Sequence, residues 1–349
     1  MINKNEIPIW SAARPWTKEQ IVSSTFQDLK KTLQTIESLP GGKVFSELES
    51  FHLSLRVFLD ATYDLFSSIN LFKSESENPD FWNRPRRIDL ERLEVRIQRG
   101  IFSATMAAMA LVDHTRIFSN HFPVEHYQER VNESFSENHL HKFVQGLRNF
   151  TTHVRIAKSN WVTKWDREGR SVFFLLSLTD LNKWDGWDAL SRTYIESNSE
   201  GINVEQLFDN YSKKVKSFHD WFRSRVWESS SEDLKEYLTC KRAYNAVNAR
   251  SMWNVLLTQA FPKKKIDPYM YLDKYLSDNE IEEILSLPFR SKLQVDRIIE
   301  LVDEYGCCDE ELRNAAYRLF EVTSQQPHEP DRGLGGPLQV MQALCIKSN

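Results

Sequence analysis

His139 to Asn160, HLHKFVQGLRNFTTHVRIAKSN, is the stretch whose reading decides the fold. Leu140, Phe143, Val144, Leu147 and Val154 recur at steps of three, four and seven residues, the spacing of a helix with one buried face. A helix apolar along one stripe has to bury that stripe against other helices or a sheet. The polar residues within it are Arg148-Asn149-Phe150-Thr151-Thr152-His153, where Asn149 and His153 stand one helical turn apart on one side with Arg148 beside them. A cation, an amide and a titratable imidazole are thereby held together.

Those side chains suit phosphate chemistry. Cleaving RNA without a metal requires a base for the proton of a 2′-hydroxyl, an acid for the leaving 5′-oxygen, and a fixed positive charge on the phosphoryl oxygens. Histidine can make either proton transfer near neutrality. The guanidinium fork of arginine matches phosphate geometry and stays charged. Asparagine can fix the imidazole or donate to the phosphate. On residue types alone, the same three side chains also read as a solvated helix face with a partly buried histidine.

Arg148-Asn149-x-x-x-His153, in a helix that follows other long helices, resembles the arginine-to-histidine signature of the HEPN superfamily, including the polar residue directly after the arginine. The likeness covers about Phe45 to Asn160. It implies a four-helix bundle that dimerises so that two motif copies face one cleft and, in active members, metal-independent endoribonuclease activity. Carried over, Arg148 would contact the scissile phosphate, His153 would be the acid or base, and Asn149 would orient them. One branch of the superfamily has a tyrosine two residues after the histidine; Arg155 stands there and disfavours that branch. Members commonly serve as toxins or antiviral effectors. The span Leu147 to Phe222 also resembles a group of uncharacterised bacterial HEPN-like proteins.

Working outward, the chain of 349 residues is long enough for two cores, and its 41% hydrophobic and 27% charged residues are those of an ordinary globular protein. A formal net charge of −4 offers no global attraction for nucleic acid, so RNA would need a local basic patch. Cys240, Cys307, Cys308 and Cys345 lack paired spacing, which argues for reduced thiols and against a zinc site; no metal or other cofactor is expected. With no signal-like leader and no long apolar run, a cytoplasmic protein without a membrane segment is expected.

The chain reads as mainly α: an N-terminal lead-in and helix over 1–44, a HEPN-like helical domain over 45–229, a helical C-terminal domain over 230–324 and a flexible tail over 325–349. Thr17 and Gln20 form a capping-box pattern for a helix running to about Ser38 and stopping at Pro40-Gly41-Gly42. Phe45 to Phe72 and Ile88 to about Ser119 read as long helices, with Ala104, Ala107, Ala108 and Ala110 permitting close packing. Between them, Lys73 to Arg87 reads as a loop. Trp161 to Leu178 reads as a β-hairpin inserted in the helical domain, and it has to lie against the bundle because two strands alone are marginal. Ser229-Ser230-Ser231 marks the internal boundary. Beyond it come short amphipathic helices.

Two further groups bear on the site. Asp113, His114 and Arg116, near the end of a bundle helix, are second candidates to support Arg148, although residues of these types near a helix end more commonly cap or pair at the surface. Arg84, Arg86, Arg87, Arg92 and Arg96 could meet an RNA backbone; balanced by Asp89, Glu91 and Glu94, they read more simply as a solvated face. Two functional expectations follow from different classes. One is a homodimeric RNase leaving a 2′,3′-cyclic phosphate, and the other is a non-catalytic bundle that binds a nucleotide, RNA or a regulatory protein partner.

Overall fold

The computed structural model describes residues 7–136, 138–166, 169–264 and 266–322, and the tail expected over 325–349 lies outside them. In chain order the helices and strands are α1 (Lys18–Gln27), α2 (Leu29–Glu37), α3 (Pro40–Glu77), α4 (Arg87–His121), α5 (Tyr127–Val131), α6 (His139–His153), β1 (Ser159–Asp166), β2 (Gly169–Leu176), α7 (Leu178–Leu181), α8 (Ala189–Glu196), β3 (Ile202–Asn203), α9 (Val204–Ser229), α10 (Ser231–Val255), α11 (Phe261–Lys264), α12 (Asp278–Ser286), α13 (Lys292–Val302) and α14 (Glu310–Leu319). The protein is mainly helical with one small antiparallel sheet. No described helix is long and apolar enough to cross a membrane.

Two compact units share the chain: Ile36–Leu238, and Met1–Thr35 together with Thr239–Asn349. In the first, α3 packs on α4, α4 on α6, α6 on α9 and α9 back on α3, which closes a ring of four helices around one core. The core is aromatic, with Phe58, Phe72, Phe143, Phe150, Phe208 and Tyr211 fully buried. Gly100 and Ala104 let α4 approach α3: a methyl group at Gly100 would lie 3.0 Å from Leu65 Cδ1, and Ala104 is wholly buried.

Two expected helix limits move, for identifiable reasons. The helix begun by the Thr17–Gln20 capping box ends at Gln27, where Asp28 turns extended, before α2 starts. Pro40-Gly41-Gly42 opens α3 instead of ending a helix. Proline is tolerated at the first helical position, where its missing N–H is not needed. The glycines answer a close approach, since a Cβ on Gly41 would sit 2.0 Å from the backbone oxygen of Asp233. α3 then runs through residues expected as loop, and Asn78 stops it by capping the 3₁₀ turn Pro79–Trp82.

The hairpin forms as expected, with Trp161 opposite Phe174 and Thr163 opposite Val172. β3 adds a third strand, pairing Ile202 with Leu176. The sheet lies against the bundle through Phe174, whose ring meets Phe72 edge-on at 4.9 Å. In the other unit, Leu272, Ile284, Val295, Ile298, Ala316 and Phe320 form a separate small core.

Candidate functional site

The motif occupies the last turns of α6, and the helix ends at His153. Val154, expected on the buried stripe, is 41% exposed, because the chain leaves the helix there: the N–H groups of Val154 and Arg155 both donate to the carbonyl of Phe150. Of the rest of the stripe, Phe143, Val144 and Leu147 are wholly buried and Leu140 is half-buried, and Phe150, outside the expected stripe, is wholly buried as well. Trp187 backs this face. Its ring stacks on Phe143 at 5.4 Å and Phe150 at 5.8 Å, while its indole N–H donates to the Leu181 carbonyl at 2.8 Å. Gly146 is the helix position that admits this ring, since a Cβ there would lie 2.7 Å from it. A rigid aromatic floor thus fixes the helix that presents Arg148, Asn149 and His153.

Arg148 and Asn149 are partly buried and His153 is exposed. The Arg148 Nη1 donates to Asn149 Oδ1 at 3.0 Å, which holds the amide beside the guanidinium. Arg148 forms no ion pair with a described carboxylate, and His153 has no side-chain hydrogen bond or ion pair among the described residues. An arginine without a counter-ion keeps its charge for a ligand. The Thr151 hydroxyl donates back to the Leu147 carbonyl at 2.6 Å, and that of Thr152 to the Arg148 carbonyl, so neither hydroxyl competes for the motif side chains.

The second candidates stand elsewhere. His114 Nδ1 lies 2.6 Å from the Ser54 hydroxyl of α3, and Asp113 pairs with Arg116 at 3.4 Å. No hydrogen bond or ion pair among the described residues links these three to the motif. The arginine-rich segment is largely neutralised: Arg86 pairs with Glu75 at 2.9 Å and Asp89 at 3.4 Å, Arg87 with Glu91 at 3.1 Å, and Arg92 with Asp89 at 3.7 Å. Arg84 and Arg96 are exposed and make no ion pair with a described residue.

A basic cluster next to the motif escaped the sequence reading. Asp180 of α7 is 3.1 Å from Lys183 and 3.7 Å from Arg155, which follows His153 by two residues. The hydrogen bond from Lys183 foremost, with the charges of Lys183, Arg155 and Lys158 and against desolvation, holds the Asp180 carboxyl below its ordinary range. Three cations thus surround one carboxylate and leave net positive charge beside α6. The run Arg155-Ile-Ala-Lys158 was the available signal, but Lys183 joins it only through the fold.

At the other end of α6 lies a buried polar pair. His141 Nδ1 is 3.0 Å from the hydroxyl of Tyr211, itself fully buried on α9. Burial foremost, helped by Lys142 and Lys214, pulls the His141 pKa down to about 4, and burial raises that of Tyr211. Both are therefore neutral at pH 7.

No family model matches the chain. No curated protein or solved structure matches it either. The C-terminal end of α6 thus carries a cation with an attached amide, an imidazole without a side-chain partner among the described residues, and a neighbouring basic cluster.

Proposed function

We propose that this protein is a metal-independent endoribonuclease of HEPN type, acting in a toxin-like or antiviral role, with Arg148 and His153 as its working pair. The observation that carries the reading is that both side chains stand at the end of one rigid helix, neither paired with a carboxylate among the described residues. In this reading Arg148 binds the scissile phosphate, and Asn149, held on the guanidinium, donates its free amide N–H groups to the same group. His153 removes the 2′-hydroxyl proton, the 2′-oxygen attacks phosphorus, and the 5′-oxygen leaves, producing a 2′,3′-cyclic phosphate. One imidazole cannot act as base and acid in the same step, and a second copy of the motif across a homodimer cleft would supply the other. Arg155, Lys158 and Lys183 would hold flanking phosphates.

The test is incubation of purified wild type, Arg148→Ala and His153→Ala with total RNA in excess chelator, reading fragmentation and fragment ends. Cyclic-phosphate ends from wild type alone are expected, whereas cleavage retained by both variants removes the motif from the chemistry. A specific observation favours a second reading, a non-catalytic module binding RNA, a nucleotide or a regulatory partner: among the described residues the His153 ring has no partner to fix its tautomer, and Asn149 turns toward Arg148. That reading predicts RNA binding lost in Arg148→Ala without cleavage by any form.

A further inference from the structure

The unit formed by Met1–Thr35 and Thr239–Asn349 holds two adjoining cavities that the ribonuclease reading does not use. The inner one, about 80 Å³, is walled almost wholly by apolar side chains, among them Trp253, Leu272, Ile298 and Ala316. The outer one, about 700 Å³, is half polar and includes Arg290, Arg318, Asp267 and Glu321. Leu257, Phe261, Pro268, Leu319 and Phe320 line both, so the two spaces adjoin along these side chains.

Several features converge on this cleft. Leu257 and Thr258 belong to a π-helical turn, Leu256–Ala260, and such turns tend to accompany functional sites. Arg290 and Glu321 both adopt left-handed backbone angles, with φ of 55° and 50°, and pair with each other at 2.5 Å across the cleft lining. Non-glycine residues in that conformation carry strain that the surroundings must hold in place. Of the charges in the lining, Glu321 is engaged by Arg290, and Asp267 caps the next turn by accepting from the Tyr269 N–H at 3.1 Å. Arg318 is exposed and its side chain has no hydrogen bond or ion pair with a described residue. Arg290 Nε is buried without an acceptor. Lys263 and Lys264, which follow the cleft residue Pro262, are exposed. The carboxylates are spoken for and cationic capacity is left over.

We infer that this cleft binds a small amphipathic anion, an unbranched aliphatic carboxylate, with the carboxylate on Arg318 and the end of the chain in the inner apolar cavity. Size selects the tail. A cavity of roughly 150 Å³ accommodates benzene, and the inner space here is about half that; it fits a chain end better than a ring. The inference stands apart from the ribonuclease reading and survives or fails independently of it.

The experiment is calorimetric titration of the full chain with decanoate and with decanol, both below micellar concentration. Wild type, Arg318→Glu and Ala316→Phe are compared, each after its far-UV circular dichroism has matched wild type. The expected result is saturable binding of one decanoate per chain, weakened about tenfold or more by Arg318→Glu because a charge-assisted hydrogen bond is lost and a repulsion added. Decanol binding should be indifferent to Arg318→Glu, and Ala316→Phe should weaken both probes by filling the cavity. Should Ala316→Phe fail to fold, the contrast between acid and alcohol at Arg318 decides alone. Absence of saturable decanoate binding overturns the inference, as does equal loss of both probes on Arg318→Glu.

Discussion

Asn149 is where the chemistry of the motif can be separated from its mere presence. Its Oδ1 accepts from Arg148 at 3.0 Å, so an aspartate in its place would set a full negative charge against the guanidinium. An ion pair there would occupy the fork that a phosphate needs and add repulsion toward it. Asn149→Asp is therefore expected to reduce RNA binding and cleavage more than Asn149→Ala, by about tenfold between the two; filter binding and fragment yield measure this. If the two substitutions act alike, Arg148 is not the phosphate contact. At this scale the sequence was most legible: helical spacing set Arg148, Asn149 and His153 on neighbouring positions, and all three do lie on α6, with Arg148 bonded to Asn149. It was least legible for Lys183, because an ion pair formed through a separate loop leaves no periodic signal. Arg86, Arg87 and Arg92 show the reverse: they were visible as a charge run, and the carboxylates interleaved with them are their partners.

The elements are positioned by glycines whose purpose is close approach. At Gly146 a Cβ would lie 2.7 Å from the Trp187 ring, which is itself clamped between Phe143 and Phe150. Gly146→Ala would force that ring aside and is expected to destabilise the bundle by about 1–3 kcal/mol, the usual cost of overpacking, read as a lower urea midpoint with altered tryptophan emission. Gly41→Ala meets backbone, the Asp233 oxygen at 2.0 Å, which cannot swing away as a side chain can. Its loss should exceed that of Gly146→Ala; an unchanged midpoint would mean that α3 does not start against Asp233. The same residues explain where helix limits were hard to read. Gly-Gly after proline is a stop signal in local terms, and only the packing of a segment almost two hundred positions away makes it a start. Periodicity located α4 and the body of α6 well because each buries one continuous stripe, whereas β3 has two residues and shows no pattern to read.

At the scale of the whole Ile36–Leu238 unit, two neutral histidines tie stability to pH. His219 of α9 is 3% exposed, stacked on Phe51 at 4.7 Å, with neither ring nitrogen hydrogen-bonded; Asp220 Oδ1 is 4.0 Å away. Burial lowers its pKa to about 4, the nearby His52 and Arg223 acting in the same direction and Asp220 against it. His141 is lowered similarly. An unfolded histidine titrates near 6.5, so the unfolded chain takes up protons first as the pH falls. The stability these groups protect is complete above about pH 6.5 and drains away as the pH falls toward 4. At about 1.4 kcal/mol per pH unit, each group would remove on the order of 3 kcal/mol across that window. Together they approach the entire stability of a typical domain, about 5–15 kcal/mol. His219→Phe keeps the stacked ring and removes both unsatisfied nitrogens, so it should raise stability at pH 7 and flatten the acid limb by close to one proton. Urea midpoints of wild type and variant at pH 7, 6 and 5 measure the difference, in which the carboxylates common to both cancel. Parallel curves would mean that His219 takes up its proton over the same pH range folded and unfolded, and that its place among Phe51 and Phe222 is not the apolar one its burial indicates.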